Sequence, residues 1–237
     1  MGRQIDKSSF NLKWDVDEER YYETGVSRGV LYVYDADAET PGYQNGVVWN
    51  GLTQVQETPS GAEANAQYAD DLKYLNLYSL EELGATVEAF TYPDEFMACD
   101  GSAAVGTGVY AGQQERKKFA LCYTTRIGSE AEEGLGYKIH ILYGCKASPS
   151  ERAYATVNDS PEPITFSWEV TTSPVPVTGH KDTALITIDS RTANGTKLTA
   201  LEQTLFGTPA TTGDNPQPAT PATLLMPDAI IAAMAQG

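Results

Sequence analysis

The sequence predicts a mainly β protein: an antiparallel β-sandwich or barrel with a flanking helix and an extended C-terminal arm. Several segments alternate large apolar residues with small or polar ones, which is the period of a half-buried strand. The connectors between them are rich in Gly, Pro, Ser and Asp, as is usual for short strands in sandwiches and barrels. Near the end of the chain, three leucines recur at helical spacing.

The strands follow from this alternation, taken in order along the chain. Weaker patterns predict strands at residues 29–34, 47–49, 72–78 and 86–92. Clear patterns predict strands at residues 119–127, 137–143, 164–171 and 184–189. Each of these strands is expected to bury one face and to expose the other.

Two connecting segments also have recognisable character. Residues 93–99 (PDEFMAC) predict one short helix with Pro93 in its first turn. Residues 128–136 (GSEAEEGLG) predict an exposed hairpin loop.

The C-terminal end differs from the rest. Leu198, Leu201 and Leu205 form the apolar stripe of a helix that Gly207 can cap. We therefore divide the chain into a β domain with its flanking helix, residues 1–206, and a Pro/Thr-rich linker with a short apolar arm, residues 207–237. A short apolar segment on such an arm is expected to dock either onto another molecule or back onto its own domain.

Charge excludes some classes of function. The 237 residues include 32 Asp and Glu against 16 Lys and Arg, a net charge of −16. Specific binding of duplex DNA or of an anionic membrane needs the opposite balance. The first residues do not form a secretory signal, and no apolar run is long enough to span a membrane. The three cysteines suggest free thiols in a reducing cytoplasm.

The residues that carry chemistry do not form a recognisable catalytic motif. The two histidines, His140 and His180, have no triad partner in sequence, and His140 alternates with Ile139 and Ile141. No zinc, calcium or phosphate-binding motif is complete. The acidic pairs 70–71 and 81–82 are expected to be solvated surface residues. The sequence therefore predicts a protein that is not an enzyme, with no cofactor and no metal.

Many short segments, in order along the chain, resemble the major tail (tail tube) proteins of long-tailed bacteriophages. None of them is catalytic, and their specificity lies in their number and order. They lie at residues 22–32, 48–53, 57–63, 68–77, 84–96, 136–140, 143–145, 158–161 and 166–170, and the helix that ends at Gly207 is similar too.

The resemblance implies a β-sandwich of the tail-tube type that self-assembles into rings of six, which stack into a tube. It implies a tape-measure protein and tail-tip or terminator proteins as partners. Double-stranded DNA would be only a passing cargo, conducted into the host and not specifically bound. The protein would belong to the virion, after assembly in the host cytoplasm.

Three surfaces are predicted to serve this assembly. The polar face of the 164–171 strand is predicted to line the channel, through Thr165, Ser167, Glu169 and Thr171. A loop from residue 57 to residue 66 is predicted to contact the next ring, through Glu57, Ser60 and Glu63. The C-terminal arm is predicted to clasp a neighbour, through Leu224, Leu225, Ile230 and Ile231.

Other functions are compatible with the same sequence. A carbohydrate-binding β-sandwich, such as an adhesin module, would present exposed Trp or Tyr clusters. A hydrolase would use a pair of acids with a raised pKa in a cleft. A tail-tip or baseplate protein of the same fold is the alternative within the assembly class.

Overall fold

The computed structural model describes residues 20–39, 41–130, 134–156, 159, 162–211 and 217–235. Among these residues strands dominate, with two α-helices towards the C-terminal end and one 3₁₀ helix at Asp94–Ala98. The strands are β1 Tyr21–Asp35, β2 Gly42–Tyr43, β3 Val47–Trp49, β4 Leu52–Gly61, β5 Ala64–Ala69, β6 Leu72–Tyr78, β7 Glu81–Ala89, β8 Ala103–Gly106, β9 Val109–Ala111, β10 Phe119–Ser129, β11 Gly136–Ala147, β12 Phe166–Thr171 and β13 Leu185–Asp189. The helices are α1 Gly195–Phe206 and α2 Pro227–Met234.

The strands form two antiparallel layers that share β11. In the first layer, sheet I, the order is β3–β1–β10–β11–β13, and β2 pairs with the end of β1. In the second, sheet II, β12 pairs with the end of β11 and continues through β7 to β4. Among the described strands no ladder joins β4 back to β1. The architecture is therefore a sandwich and not a closed barrel.

Gly144 makes the crossing of β11 between the two sheets possible. The strand pairs with β13 up to Leu142 and with β12 from Lys146 onward. Between them Gly144 has φ +60°, and a Cβ at this position would lie 2.3 Å from the backbone oxygen of Ser173. A residue with a side chain would meet both a left-handed backbone and a backbone clash.

Two apolar cores lie on opposite faces of sheet I. The first fills the space between the sheets and is built around aromatic rings, among them Trp49, Phe96, Phe119 and Trp168. The second lies between sheet I and the helices, where the predicted stripe of Leu198, Leu201 and Leu205 packs on Ile139, Ile141 and Tyr143. The molecule thus has three layers: sheet II, sheet I and helices.

The mainly β, antiparallel fold with a flanking helix is confirmed. All eight predicted strands are present, although the 86–92 prediction is shifted: β7 runs over Glu81–Ala89. The short helix after Pro93 and the helix ending at Gly207, whose φ is +72°, are also present. Of the predicted loop 128–136, residues 131–133 lie outside the described part of the chain.

One expectation about the strands is wrong. The central strands of sheet I do not expose a polar face, because β10 is buried on both faces over most of its length. The helices cover the second face, so the small alternating residues Ala120 and Cys122 are core residues and not surface residues. Sheet II is the layer that keeps one polar face, and β12 shows the predicted alternation.

Candidate interaction surfaces

The outer face of sheet II carries the four residues that were predicted to line a channel. Thr165 lies just before β12, while Ser167, Glu169 and Thr171 lie on β12 itself. Thr165, Glu169 and Thr171 are exposed, and Ser167 is half-buried. Trp168 and Val170, which alternate with them, point into the core between the sheets.

The strand register extends this polar face across β7 and β4. Across the three strands the rungs of this face are Gln54–Glu88–Ser167, Gln56–Thr86–Glu169 and Thr58–Gly84–Thr171. The three strands contain no Lys or Arg. The first cation in the register is the exposed Lys146, which pairs with Thr171 from the end of β11. We call these three rungs the polar face; it is hydrophilic with a negative charge.

A hairpin formed by β5 and β6, residues 64–78, exposes an unusual amount of apolar surface. Within the described residues these strands pair only with each other. The two-residue turn, Asp70 and Asp71, has positive φ at both positions, the conformation that suits a tight hairpin. Large side chains are exposed on both faces of the ribbon: Tyr68, Leu72, Tyr74, Leu75, Leu77 and Tyr78. We call residues 64–78 the exposed hairpin.

The predicted ring-stacking loop is not a loop. Glu57 and Ser60 lie in β4, and Glu63 lies between β4 and the hairpin. Glu57 makes a contact within its own subunit: its carboxylate accepts a hydrogen bond of 2.5 Å from the Tyr123 hydroxyl of sheet I. The sequence does not separate a strand from a loop here. The polar residues of β4 form the outer face of sheet II, and a run of polar residues is equally typical of a connector.

The C-terminal arm docks on its own domain, the second of the two alternatives. Leu224 and Ile230 are buried in the core beneath the helices, with Leu225 packed against it. The Tyr143 hydroxyl donates a hydrogen bond of 2.8 Å to the Leu225 carbonyl. The prediction that the whole arm clasps a neighbour is therefore wrong for the buried residues, and of the four only Ile231 is exposed, at 45%.

A cluster of polar side chains joins the two sheets around His140. The imidazole stacks on the ring of Tyr123, with centroids 4.8 Å apart and planes 4° from parallel. Its two nitrogens lie 3.5 Å from carboxylate oxygens of Glu23 and Glu57. Alternation with Ile139 and Ile141 correctly predicts that His140 faces away from the helices. It does not indicate Glu57, which comes from the other sheet.

The three cysteines are packed in the two apolar cores. Cys99, Cys122 and Cys145 are free thiols and buried, and burial raises the pKa of Cys99 and of Cys122 to about 12. In the part of the chain that the structure describes, no group of three or more His, Cys, Asp or Glu is placed to hold a metal ion. Of the helices described, none has the length and apolar character to cross a membrane.

Comparison with known proteins gives little. No protein-family profile and no curated protein matches the chain. Solved structures do match, among them a chain of the structure titled "Cryo-EM structure of the anti-feeding prophage (AFP) baseplate, 6-fold symmetrised". That chain is 7% identical, with a TM-score of 0.34, and the match covers 68% of this chain and 92% of that one.

Proposed function

We propose that this chain is a structural protein of a bacteriophage particle, a tail tube subunit that assembles into stacked hexameric rings and has no catalytic role. The observation that carries the proposal is the exposed hairpin. A two-stranded ribbon is marginally stable alone in water. An apolar patch on a soluble protein marks a site of contact with a partner. In the proposed assembly, the hairpin contacts another copy of the chain.

The strand edges and the polar face suit the same function. β4 and β13 lie at the edges of the sheets, with one ladder partner each among the described strands. Ring closure is one way in which proteins remove the hazard of such edges. The polar face, which carries Glu88 and Glu169 and no cation within its strands, would repel phosphate and let DNA slide through a channel. Its position in the lumen is part of the proposal.

The rival functions have less support in the described residues. The carbohydrate-binding alternative needs exposed aromatic platforms, but Trp49 and Trp168 are buried core residues. The exposed tyrosines do not form one platform, because they are divided among the exposed hairpin, the start of β1, β9 and the segment after β11. The hydrolase alternative needs paired acids in a cleft, but Asp70 and Asp71 form the turn of the exposed hairpin, and Glu81 and Glu82 are exposed at the start of β7.

Negative-stain electron microscopy of the purified protein over a concentration series tests the proposal. The wild type is expected to form rings or hollow tubes above a threshold concentration. Replacing Leu72 and Tyr74 by Ser should raise that threshold at least about tenfold, since each loses contact area at an interface. The matched control is Tyr154→Ser, because Tyr154 is exposed to 71% and Tyr74 to 72%, but Tyr154 lies outside the hairpin.

The outcomes separate the alternatives. Dispersed particles at every concentration would contradict self-assembly. Single rings that never stack would favour the tail-tip or baseplate alternative. Equal thresholds for the hairpin variant and the Tyr154 variant would show that the hairpin is not the contact.

A further inference from the structure

His140 occupies a position between two carboxylates that belong to different sheets. Its Nε2 lies 3.5 Å from Oε1 of Glu23, on β1 of sheet I. Its Nδ1 lies 3.5 Å from Oε1 of Glu57, on β4 of sheet II. The histidine side chain is 12% exposed. Both ring nitrogens therefore face acceptors, in a place that water reaches only in part.

The hydrogen bonds around the imidazole determine which of its two nitrogens carries a proton. The Thr125 hydroxyl donates its one proton to Glu23 over 2.6 Å and lies 3.0 Å from Nε2 of His140. Since that hydroxyl proton is already used, Nε2 must be the donor in its contact with Thr125. A neutral imidazole has one N–H, so its Nδ1 would then present a lone pair to the Glu57 carboxylate. Only the imidazolium donates from both nitrogens.

We propose that His140 is a proton-dependent clasp between the two sheets. When protonated, it binds Glu57 and holds β4 against sheet I. When it loses the proton, Nδ1 and the carboxylate repel each other, and this end of β4 is released. The Tyr123 hydroxyl, which donates to the same Glu57 oxygen, is the part of the contact that does not depend on the proton.

The other charged groups around the ring leave Glu57 as the one that His140 must balance. On β11, Lys138 binds Glu23 with Nζ 2.6 Å from the carboxylate. On β13, Asp189 lies opposite Lys138 in the register and forms a pair with Arg191, and the Thr187 hydroxyl lies 3.5 Å from Nδ1. With Glu23 and Asp189 each paired, Glu57 and protonated His140 make the cluster neutral. Loss of the proton leaves one unbalanced negative charge.

The neighbours keep their own protonation states through this change. The His140 imidazole beside it lowers the pKa of Glu57, against burial that raises it. Burial raises the pKa of Glu23, and the hydrogen bonds from Lys138 and Thr125 outweigh it, so that the net shift is downward. Burial and the Glu57 carboxylate raise the pKa of Tyr123. Both carboxylates therefore stay ionised, and the phenol stays a donor, in mildly acidic and neutral solution.

The strand that carries Glu57 leads directly into the exposed hairpin. β4 ends at Gly61, and the hairpin begins at Ala64. Loosening β4 at Glu57 would therefore free the base of the ribbon. That this would weaken ring assembly rests on the proposed function, whereas the clasp itself does not.

A double-mutant cycle on the dispersed protein tests the clasp. We would measure the unfolding equilibrium of the wild type, His140→Gln, Glu57→Gln and the double variant at about pH 5.5 and about pH 8.5, on either side of the range in which histidines titrate. The coupling is expected to be at least about fivefold in the unfolding constant at the lower pH and close to onefold at the higher pH. Equal coupling at both pH values would overturn the proposal.

Two controls isolate the effect. His180→Gln removes the other histidine, which is exposed, and paired with Glu57→Gln it should show no coupling at either pH. Tyr123→Phe should lower stability at both pH values without removing the pH-dependent difference. If the His140 variant does not fold, hydrogen exchange of the wild type, corrected for intrinsic rates, decides: residues 57–61 should lose protection at the higher pH, and unchanged protection would overturn the clasp. None of these readouts depends on whether rings form.

Discussion

The two carboxylates around His140 determine how stability depends on acid. The pKa of Glu57 and the pKa of Glu23 both lie below the ordinary value of 4.5 in the folded protein. A carboxylate whose folded pKa is lowered contributes stability above its unfolded value, and that contribution is lost as the pH falls through the folded value. Both side chains therefore favour the folded state above about pH 4.5 and cease to do so in more acidic solution.

At this scale we expect the wild type to lose stability below about pH 4.5, and part of the loss to belong to Glu57. In Glu57→Gln the fall between about pH 5 and pH 3 should be shallower by about 0.5 kcal/mol, a small figure because solvent screens a side chain that is 29% exposed. Denaturant unfolding at each pH measures it. A Glu82→Gln variant, at an exposed position, should keep the wild-type slope, and an identical slope for Glu57→Gln would contradict the assignment.

Residues differ in how far the sequence predicts them. The strand period places His140 opposite Ile139 and Ile141, and this is confirmed. The predicted polar face of the 164–171 strand leaves Trp168 on the opposite face, and Trp168 is buried. Glu57 could not be found in this way, since its partners lie on other strands and the period of one strand gives no information on its neighbours.

At the scale of elements, the C-terminal arm shows what limits prediction. The segment is apolar and short, and both docking on a partner and docking on its own domain are compatible with that pattern. The deciding surface is the second face of sheet I, where Ile139 and Ile141 need a cover. α1 covers part of it, and Leu224 and Ile230 complete the cover. This requirement appears only once the strands are placed side by side.

We expect the arm to contribute to the stability of the whole domain. Ile230 is 3% exposed and Ile231 is 45% exposed on the same helix. Ile230→Ala should lower the free energy of unfolding by about 2–4 kcal/mol through lost burial and a cavity, and Ile231→Ala by less than about 1 kcal/mol. Thermal and denaturant unfolding measure both. Equal small effects would mean that α2 is not held by Ile230.

The strand between Leu52 and Gly61 is the element that the sequence least reveals. Its outward residues, including Gln54, Gln56 and Thr58, are polar, and its inward residues include the charged Glu57. Without a continuous apolar alternation, the segment has the composition of a connector. The same feature makes it informative in the fold, because a strand with one polar face and one half-buried, inward carboxylate joins the polar face to the His140 cluster.

At the scale of the whole molecule, charge and apolar exposure are separated. The helices seal one side of sheet I, the exposed hairpin concentrates large apolar side chains, and the polar face of sheet II bears acids. A chain of net charge −16 is expected to be soluble whatever its function. An assembling subunit requires this separation of surfaces more than it requires a particular net charge. It needs one surface to bind a neighbour and another that does not bind the cargo.

The polar face is therefore where the proposed role in DNA passage can be tested directly. Glu169 lies in the middle rung, beside Thr86, so Glu169→Lys would place a cation at the centre of the face without disturbing the core beneath it. If the face lines the channel, particles built from this variant should release DNA at least about tenfold more slowly, and the delay should shrink as salt rises, because added cations compete for phosphate.

Glu115→Lys is the matched control, since Glu115 is an exposed acid outside β4, β7 and β12 and the substitution changes the net charge equally. A release assay at two salt concentrations measures both variants, with circular dichroism to establish that each is folded. If Glu169→Lys slows release and Glu115→Lys does not, the effect depends on position and not on total charge. If both release DNA like the wild type, the outer face of sheet II does not meet the DNA, and the negative charge of the chain serves only its solubility.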